Sequence, residues 1–153
     1  MTHLKEGDKA PVFKGKDQSG KDVTLTSLKG RKVILYFYPK DMTPGCTAQA
    51  CNLRDNYDAL LKKGYAVVGV SVDGEKSHQK FAEKYDLPFP LLADDNKEIV
   101  TQYGVFGEKQ MMGKTYNGVY RTTFLINENG IIDKIIKKPD TKNHTEEILK
   151  IWS

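Results

Sequence analysis

Residues 33–38 form an unbroken apolar run, bounded by Arg31 and Lys32 before it and by Lys40 and Asp41 after it. A run without polar alternation reads as a strand covered on both faces. Residues 65–72 repeat the pattern and predict a second buried strand. Between them the period changes. Leu53, Tyr57, Leu60 and Leu61 recur at helical spacing, and Gly64 is a stop signal, so one helix is expected over 43–63. Upstream, 7–13 reads as a loop entering a short strand, 17–20 as a turn and 21–25 as the returning strand.

Downstream, 77–85 predicts a helix with Phe81, Ala82 and Tyr85 facing inward, and Pro88 and Pro90 end it before a short strand at 91–93. A short helix is expected over 97–103. Residues 104–118, with four glycines and two methionines, read as the least regular segment. Residues 119–126 and 131–136 predict a strand pair around the turn 127–130. The final helix, 143–152, carries Ile148, Leu149 and Trp152 as its apolar stripe. Strands alternating with helices demand parallel crossovers, and the late hairpin adds antiparallel strands. The expected fold class is α/β, thioredoxin-like, with a mixed central sheet and helices on both faces.

Composition narrows the picture. The 153 residues suit one domain, taken as 1–153, and 39% hydrophobic with 29% charged residues suits a globular chain rather than a disordered one. The net charge of +4 is spread without a basic block, so no nucleic-acid partner is expected. No apolar run approaches the ~20 residues needed to span a bilayer. The first residues, starting at Met1, lack the apolar segment of a signal peptide, and the chain reads as cytoplasmic. His3, His78 and His144 are scattered without ligand spacing, so no metal and no cofactor is expected.

The candidate chemistry lies in the two cysteines, Cys46 and Cys51. Cys46 follows Thr43, Pro44 and Gly45, shortly after a buried strand. Pro44 suits the first turn of a helix, Thr43 can cap it, and Gly45 lets backbone approach a ligand. A sulfur there faces backbone N–H groups that stabilise a thiolate. Taken alone, Cys46 could equally be a small buried residue at a helix start. Cys51 lies five positions on. In a continuous helix, that spacing puts the two Cα atoms about 8–9 Å apart, facing about 140° away from each other. A disulfide requires about 7 Å or less, so any bond between them demands that the helix start unwinds. Arg121, before the apolar run 122–126, has a guanidinium that could hold a thiolate and an oxygenated substrate together, or could make an ordinary strand-edge ion pair.

At these residues the chain resembles a peroxiredoxin. Pro39, Thr43 and Cys46 stand at that family's motif spacing, and Arg121 fits its distant arginine. The narrower likeness is to the bacterioferritin comigratory protein, or peroxiredoxin Q, branch. It rests on Tyr38-Pro39-Lys40-Asp41, Thr43-Pro44-Gly45-Cys46-Thr47, Ala50-Cys51, Leu53-Arg54-Asp55, Phe106-Gly107-Glu108-Lys109, Met112-Gly113-Lys114 and Tyr116. One departure is Gln49, where many members carry glutamate. The resemblance implies a thioredoxin-dependent, atypical 2-Cys peroxidase for hydrogen peroxide and organic hydroperoxides, serving antioxidant defence. In it Cys46 would be the peroxidatic thiolate. Thr43, Arg121 and the Cys46 N–H would bind the peroxide, Pro39 would shield the thiolate, and Cys51 would resolve the sulfenic acid as an intramolecular disulfide. Thioredoxin or a similar dithiol would recycle it.

Two other readings compete. A thiol–disulfide carrier of the same fold would favour Cys-x-x-Cys and a proline where Arg121-Thr122-Thr123 stands. A non-catalytic thioredoxin-like binding module would leave both thiols inert to peroxide. An internal resolving thiol needs no partner subunit, so a monomer is expected.

Overall fold

The computed structural model describes residues 2–152, the side chain of Met111 excepted, so that Met1 and Ser153, the two ends of the expected domain, lie outside the described residues. The chain opens with a small hairpin, β1 (Lys14–Lys16) and β2 (Asp22–Thr24), turned at Gly20, whose φ of 78° suits glycine. The apolar runs then supply the sheet. β3 (Lys32–Phe37) pairs parallel with β4 (Tyr65–Ser71), which pairs parallel with β5 (Leu91–Ala93). On its other side β3 pairs antiparallel with β8 (Thr122–Ile126), and β8 with β9 (Ile132–Ile136). Among the described residues this makes a five-stranded mixed sheet in the order β5-β4-β3-β8-β9.

The central strand shows why an unbroken apolar run was needed. Its side chains alternate between two cores, because successive Cβ atoms point to opposite faces. Ile34, Tyr36 and Tyr38 join Leu53, Leu60, Phe81 and Ile148 on one face. Val33, Leu35 and Phe37 join Phe13, Ile99, Val100 and Phe124 on the other. The first face is covered by α1 (Pro44–Asp55), α2 (Tyr57–Lys62), α3 (Glu75–Tyr85) and α5 (His144–Ile151). Among the described residues the one helix on the second face is the short α4 (Glu98–Gln102), beside the first hairpin, the turn at Thr26–Leu28 and residues such as Ala10, Val105 and Val119. Helices thus lie on both faces, as expected, but unequally. Ile148 and Trp152 are buried and Leu149 is partly so, which matches the stripe read from the sequence.

Three expectations are corrected. The helix over 43–63 is broken at Asn56, whose Nδ2 donates to the Asn52 carbonyl and whose φ of −109° and ψ of 8° leave the helix. The segment 104–118 is regular: β6 (Phe106–Met111) and β7 (Lys114–Val119) pair antiparallel about a tight turn. Met112 and Gly113 sit there at φ 53° and 79°, the two left-handed residues of a hairpin turn. The strand expected over 119–126 is two: Val119 ends β7, β8 starts at Thr122, and Arg121 lies in the link. Among the described residues no helix is long and apolar enough to cross a membrane.

Candidate active site

The loop after β3 and the first turn of α1 meet the link before β8. Cys46 sits in the third position of α1, 1% exposed, and packs in the same core as Tyr36, Tyr38 and Ala50. Arg121 reaches it from the link: Nη2 lies 3.3 Å from Cys46 Sγ and Nη1 2.8 Å from Gln49 Oε1. Among the described residues Arg121 makes no ion pair with a carboxylate. Its side-chain partners here are the Gln49 amide oxygen and the Cys46 sulfur, so a full positive charge stands beside that sulfur with no carboxylate to neutralise it. Gly45 is what allows the approach, since a Cβ there would stand 3.1 Å from Arg121 Nη2.

Thr43 stands at the N-cap of α1 with the extended backbone of a cap, but its hydroxyl does not cap. It donates to the Lys40 carbonyl at 2.8 Å instead. The expected side-chain cap is thus corrected, and the correction has a consequence. The N–H groups within reach of such a cap are those of Gly45 and Cys46. Among the described residues the first backbone bond of the helix start is Thr47 N–H to the Thr43 carbonyl, at 2.9 Å. The N–H of Cys46, one of the orphan donors of a helix start, is left for a ligand beside the sulfur.

The wall behind the sulfur is aromatic and neutral. Burial first, then the charges of Cys46 and Asp41, push the Tyr36 phenol well above its ordinary value, so it stays protonated. Pro39 is half-buried in the loop between β3 and α1. Cys51 is half-buried five residues beyond Cys46 in the same unbroken helix, and both thiols are free. The structure thus brings Cys46 and Arg121 into contact, sets Thr43 three residues ahead, and leaves Cys51 apart.

Sequence reasoning passed over two residues here. Gln49 was noted only as a departure; it is fully buried and orients Arg121, while its Nε2 has no partner among the described residues. His78 was set aside with the scattered histidines, yet its ligand atom and those of Asp41 and Asp73 lie within 4.8 Å of one another. Oδ2 of each acid and both ring nitrogens are already hydrogen-bonded within the protein, so the group forms a network and does not present a ligand set. The acids' spacing along the chain gave no hint of it, because a loop, a turn and a helix assemble it.

Comparison with known proteins bears on the family and the fold. The model of the AhpC/TSA family matches residues 6–135. Peroxiredoxin Bcp of Escherichia coli (strain K12) is 49% identical over 149 residues, covering 97% of this chain and 96% of its own. Among solved structures, a cysteine-to-serine mutant of Xylella fastidiosa PrxQ superposes with a TM-score of 0.91 at 28% identity, over 98% of this chain and 96% of its own. The bacterioferritin comigratory protein of Xanthomonas campestris, solved in a study of its alkyl peroxide reduction activity, gives 0.85 at 30% identity, over 94% and 96%.

Proposed function

The chain belongs to the AhpC/TSA family, among its peroxiredoxins of the Bcp and Q kind, and from that premise we propose how its own residues make it a thiol peroxidase. The observation that carries the reading is the 3.3 Å contact between Arg121 Nη2 and Cys46 Sγ at a helix start with a spare N–H. A lone pair of the Cys46 thiolate attacks one peroxide oxygen. The O–O bond breaks, sulfur becomes a sulfenic acid, and the second oxygen leaves as alkoxide or hydroxide and takes up a proton. Arg121 and the Cys46 N–H point positive charge and a donor at the oxygens where negative charge grows. The Thr43 proton is committed to the Lys40 carbonyl, so its lone pairs are open to the O–H of a hydroperoxide. Pro39 limits water at the thiolate.

Cys51, as thiolate, then attacks Cys46 sulfur; the S–S bond forms, the S–O bond breaks, and the sulfenic oxygen leaves as hydroxide, which takes up a proton to become water. Because both cysteines lie on one helix, the front of α1 unwinds for this step. A dithiol such as thioredoxin reduces the bridge by exchange. One chain suffices for the cycle, which supports a monomer; its proposed substrates are hydrogen peroxide and organic hydroperoxides, its proposed extent is one domain over residues 1–153, and its proposed place is the cytoplasm.

Stopped-flow oxidation tests the division of labour. Cys46→Ser should abolish peroxide consumption, whereas Cys51→Ser should keep the first oxidation and lose thioredoxin-coupled turnover. Equal loss of the first step in both variants would contradict the roles. Failure to reduce insulin separates the peroxidase from a general disulfide carrier.

A further inference from the structure

The loop that enters α1 is held by a buried histidine–aspartate pair. His78, on α3, is wholly buried. Its Nδ1 lies 2.7 Å from Asp41 Oδ2 and its Nε2 2.8 Å from the Leu92 carbonyl oxygen. A carbonyl only accepts, so Nε2 carries a hydrogen. One further proton must lie between Nδ1 and Oδ2, since a bare nitrogen lone pair would otherwise face a carboxylate. Asp41 also accepts the Tyr38 hydroxyl on Oδ1 at 2.6 Å and the Ser77 hydroxyl on Oδ2 at 2.7 Å. With two hydroxyl donors already on this carboxyl, a proton on the ring lets Nδ1 donate to Oδ2 as well, so that each polar atom of the pair meets a partner of the right kind.

The groups facing the ring are Asp41 from the loop, Asp73 from the turn after β4 and the Tyr38 phenol from the end of β3, with the neutral Ser77 hydroxyl and Leu92 carbonyl completing the shell. Burial pulls the His78 pKa down, but the hydrogen bond and charge of Asp41, the Leu92 carbonyl and the Asp73 charge outweigh it and leave it above the ordinary value. His144 makes the contrast. It is equally buried, and its Nδ1 lies 2.9 Å from Glu147 Oε1, but its Nε2 meets the Thr123 hydroxyl, which can donate. Burial prevails there, and its pKa is lowered.

The pair has reach. The Asp41 N–H donates to Asp73 Oδ2 at 2.8 Å, and the Ser71 hydroxyl donates to the same oxygen at 2.7 Å. One loop residue is thereby tied to β3, the end of β4, α3 and, through His78, β5. The next residue, Met42, is exposed and held at φ 67°, in the left-handed region that disfavours a side chain. Thr43 follows and begins α1.

We propose that His78 is a positioning residue for the peroxide site: its protonated ring pins Asp41, and through it the loop 39–43 that presents Thr43, as a fixed post from which the front of α1 unwinds at Met42. The proposal rests on the roles given above to Cys46 and Thr43. The folded chain holds the His78 proton more tightly than the unfolded chain does. The pinning is therefore present below the ordinary histidine pKa and is lost as pH rises through the raised value.

The test is the rate of Cys46 oxidation by hydrogen peroxide against pH in wild type, His78→Gln, Asp41→Asn and the double variant. The wild type should lose rate on the alkaline side as His78 deprotonates. His78→Gln should be slower by about 10- to 100-fold at neutral pH, as for small misplacements at a reacting centre, and should lack that alkaline limb. The two single losses should not add in the double variant. An unchanged rate and limb in His78→Gln overturns the proposal, and so does a rate loss no larger than the unfolded fraction seen by circular dichroism. Nitrogen NMR of the wild type needs no variant: two ring N–H signals for His78 at neutral pH support the proposal, and one overturns it. If wild-type Cys46 does not react with peroxide at all, the proposed function itself fails, whatever the NMR of His78 shows.

Discussion

The back half of α1 is tied to its neighbours by side chains, and the front half is scarcely tied at all. At the back, Asn52 donates from Nδ2 to the Lys142 carbonyl at 2.9 Å and accepts the Thr145 N–H on Oδ1 at 2.8 Å. Arg54 Nη1 donates to the Tyr85 carbonyl at 2.7 Å, and Leu53 is fully buried. α5 and α3 thus both hold this half. At the front, among the described residues, the ties from outside the helix and its cap come from Arg121 alone, to Cys46 and Gln49. Thr47 Oγ1 and Gln49 Nε2 are buried there without partners, each a cost of about 1–3 kcal/mol. One helix can thus be held firmly at one end while few side-chain bonds hold the other. Local stability is not uniform along an element, and the part proposed to open carries the fewest side-chain bonds to its surroundings. Cys46 lies in the half that is buried but sparsely hydrogen-bonded, and Cys51 at the border of the other.

The largest effect expected from breaking this contrast is at Arg121. Arg121→Ala removes the front's outside tie together with the charge that faces the sulfur. Peroxide oxidation should fall by about 100- to 1000-fold, the usual loss for one preorganised donor, as followed by stopped-flow fluorescence. An unchanged rate would reduce Arg121 to a structural role. A smaller effect, on a different observable, is expected at the back. Asn52→Ala should lower stability in urea by about 1–3 kcal/mol while leaving the first oxidation step nearly unchanged. If instead it slowed that step as much as Arg121→Ala does, the two halves would not be distinct.

How far the sequence foretold this differs from place to place. β3, β4, α3 and the stripe on α5 were legible because burial imposes an apolar period that survives in the sequence. The β6–β7 hairpin was not, because β7 is almost wholly exposed up to Gly118 and so carries no apolar alternation. The break at Asn56 was hidden because Leu53 and Leu60 keep helical spacing across it, while the break itself depends on one side-chain bond to the Asn52 carbonyl. Cys46, Thr43, Arg121 and Pro39 were named from motif and resemblance, and contact with the sulfur followed for Arg121. The Thr43 hydroxyl turned to Lys40, a local choice between two acceptable partners that spacing does not decide. The pairing of His78 with Asp41 joins residues 37 apart in sequence, and a periodicity argument has no access to it.

Hydrogen–deuterium exchange on the reduced and the peroxide-oxidised protein tests the division of α1 most directly. A Cys46–Cys51 bridge is expected in the oxidised form, with amide protection lost over residues 47–51, whose carbonyl acceptors lie in the first turn, and kept from Asn52 to Asp55, which bond to the carbonyls of residues 48–51. A bridge formed with the whole helix still protected, or protection lost evenly through Asp55, would contradict it.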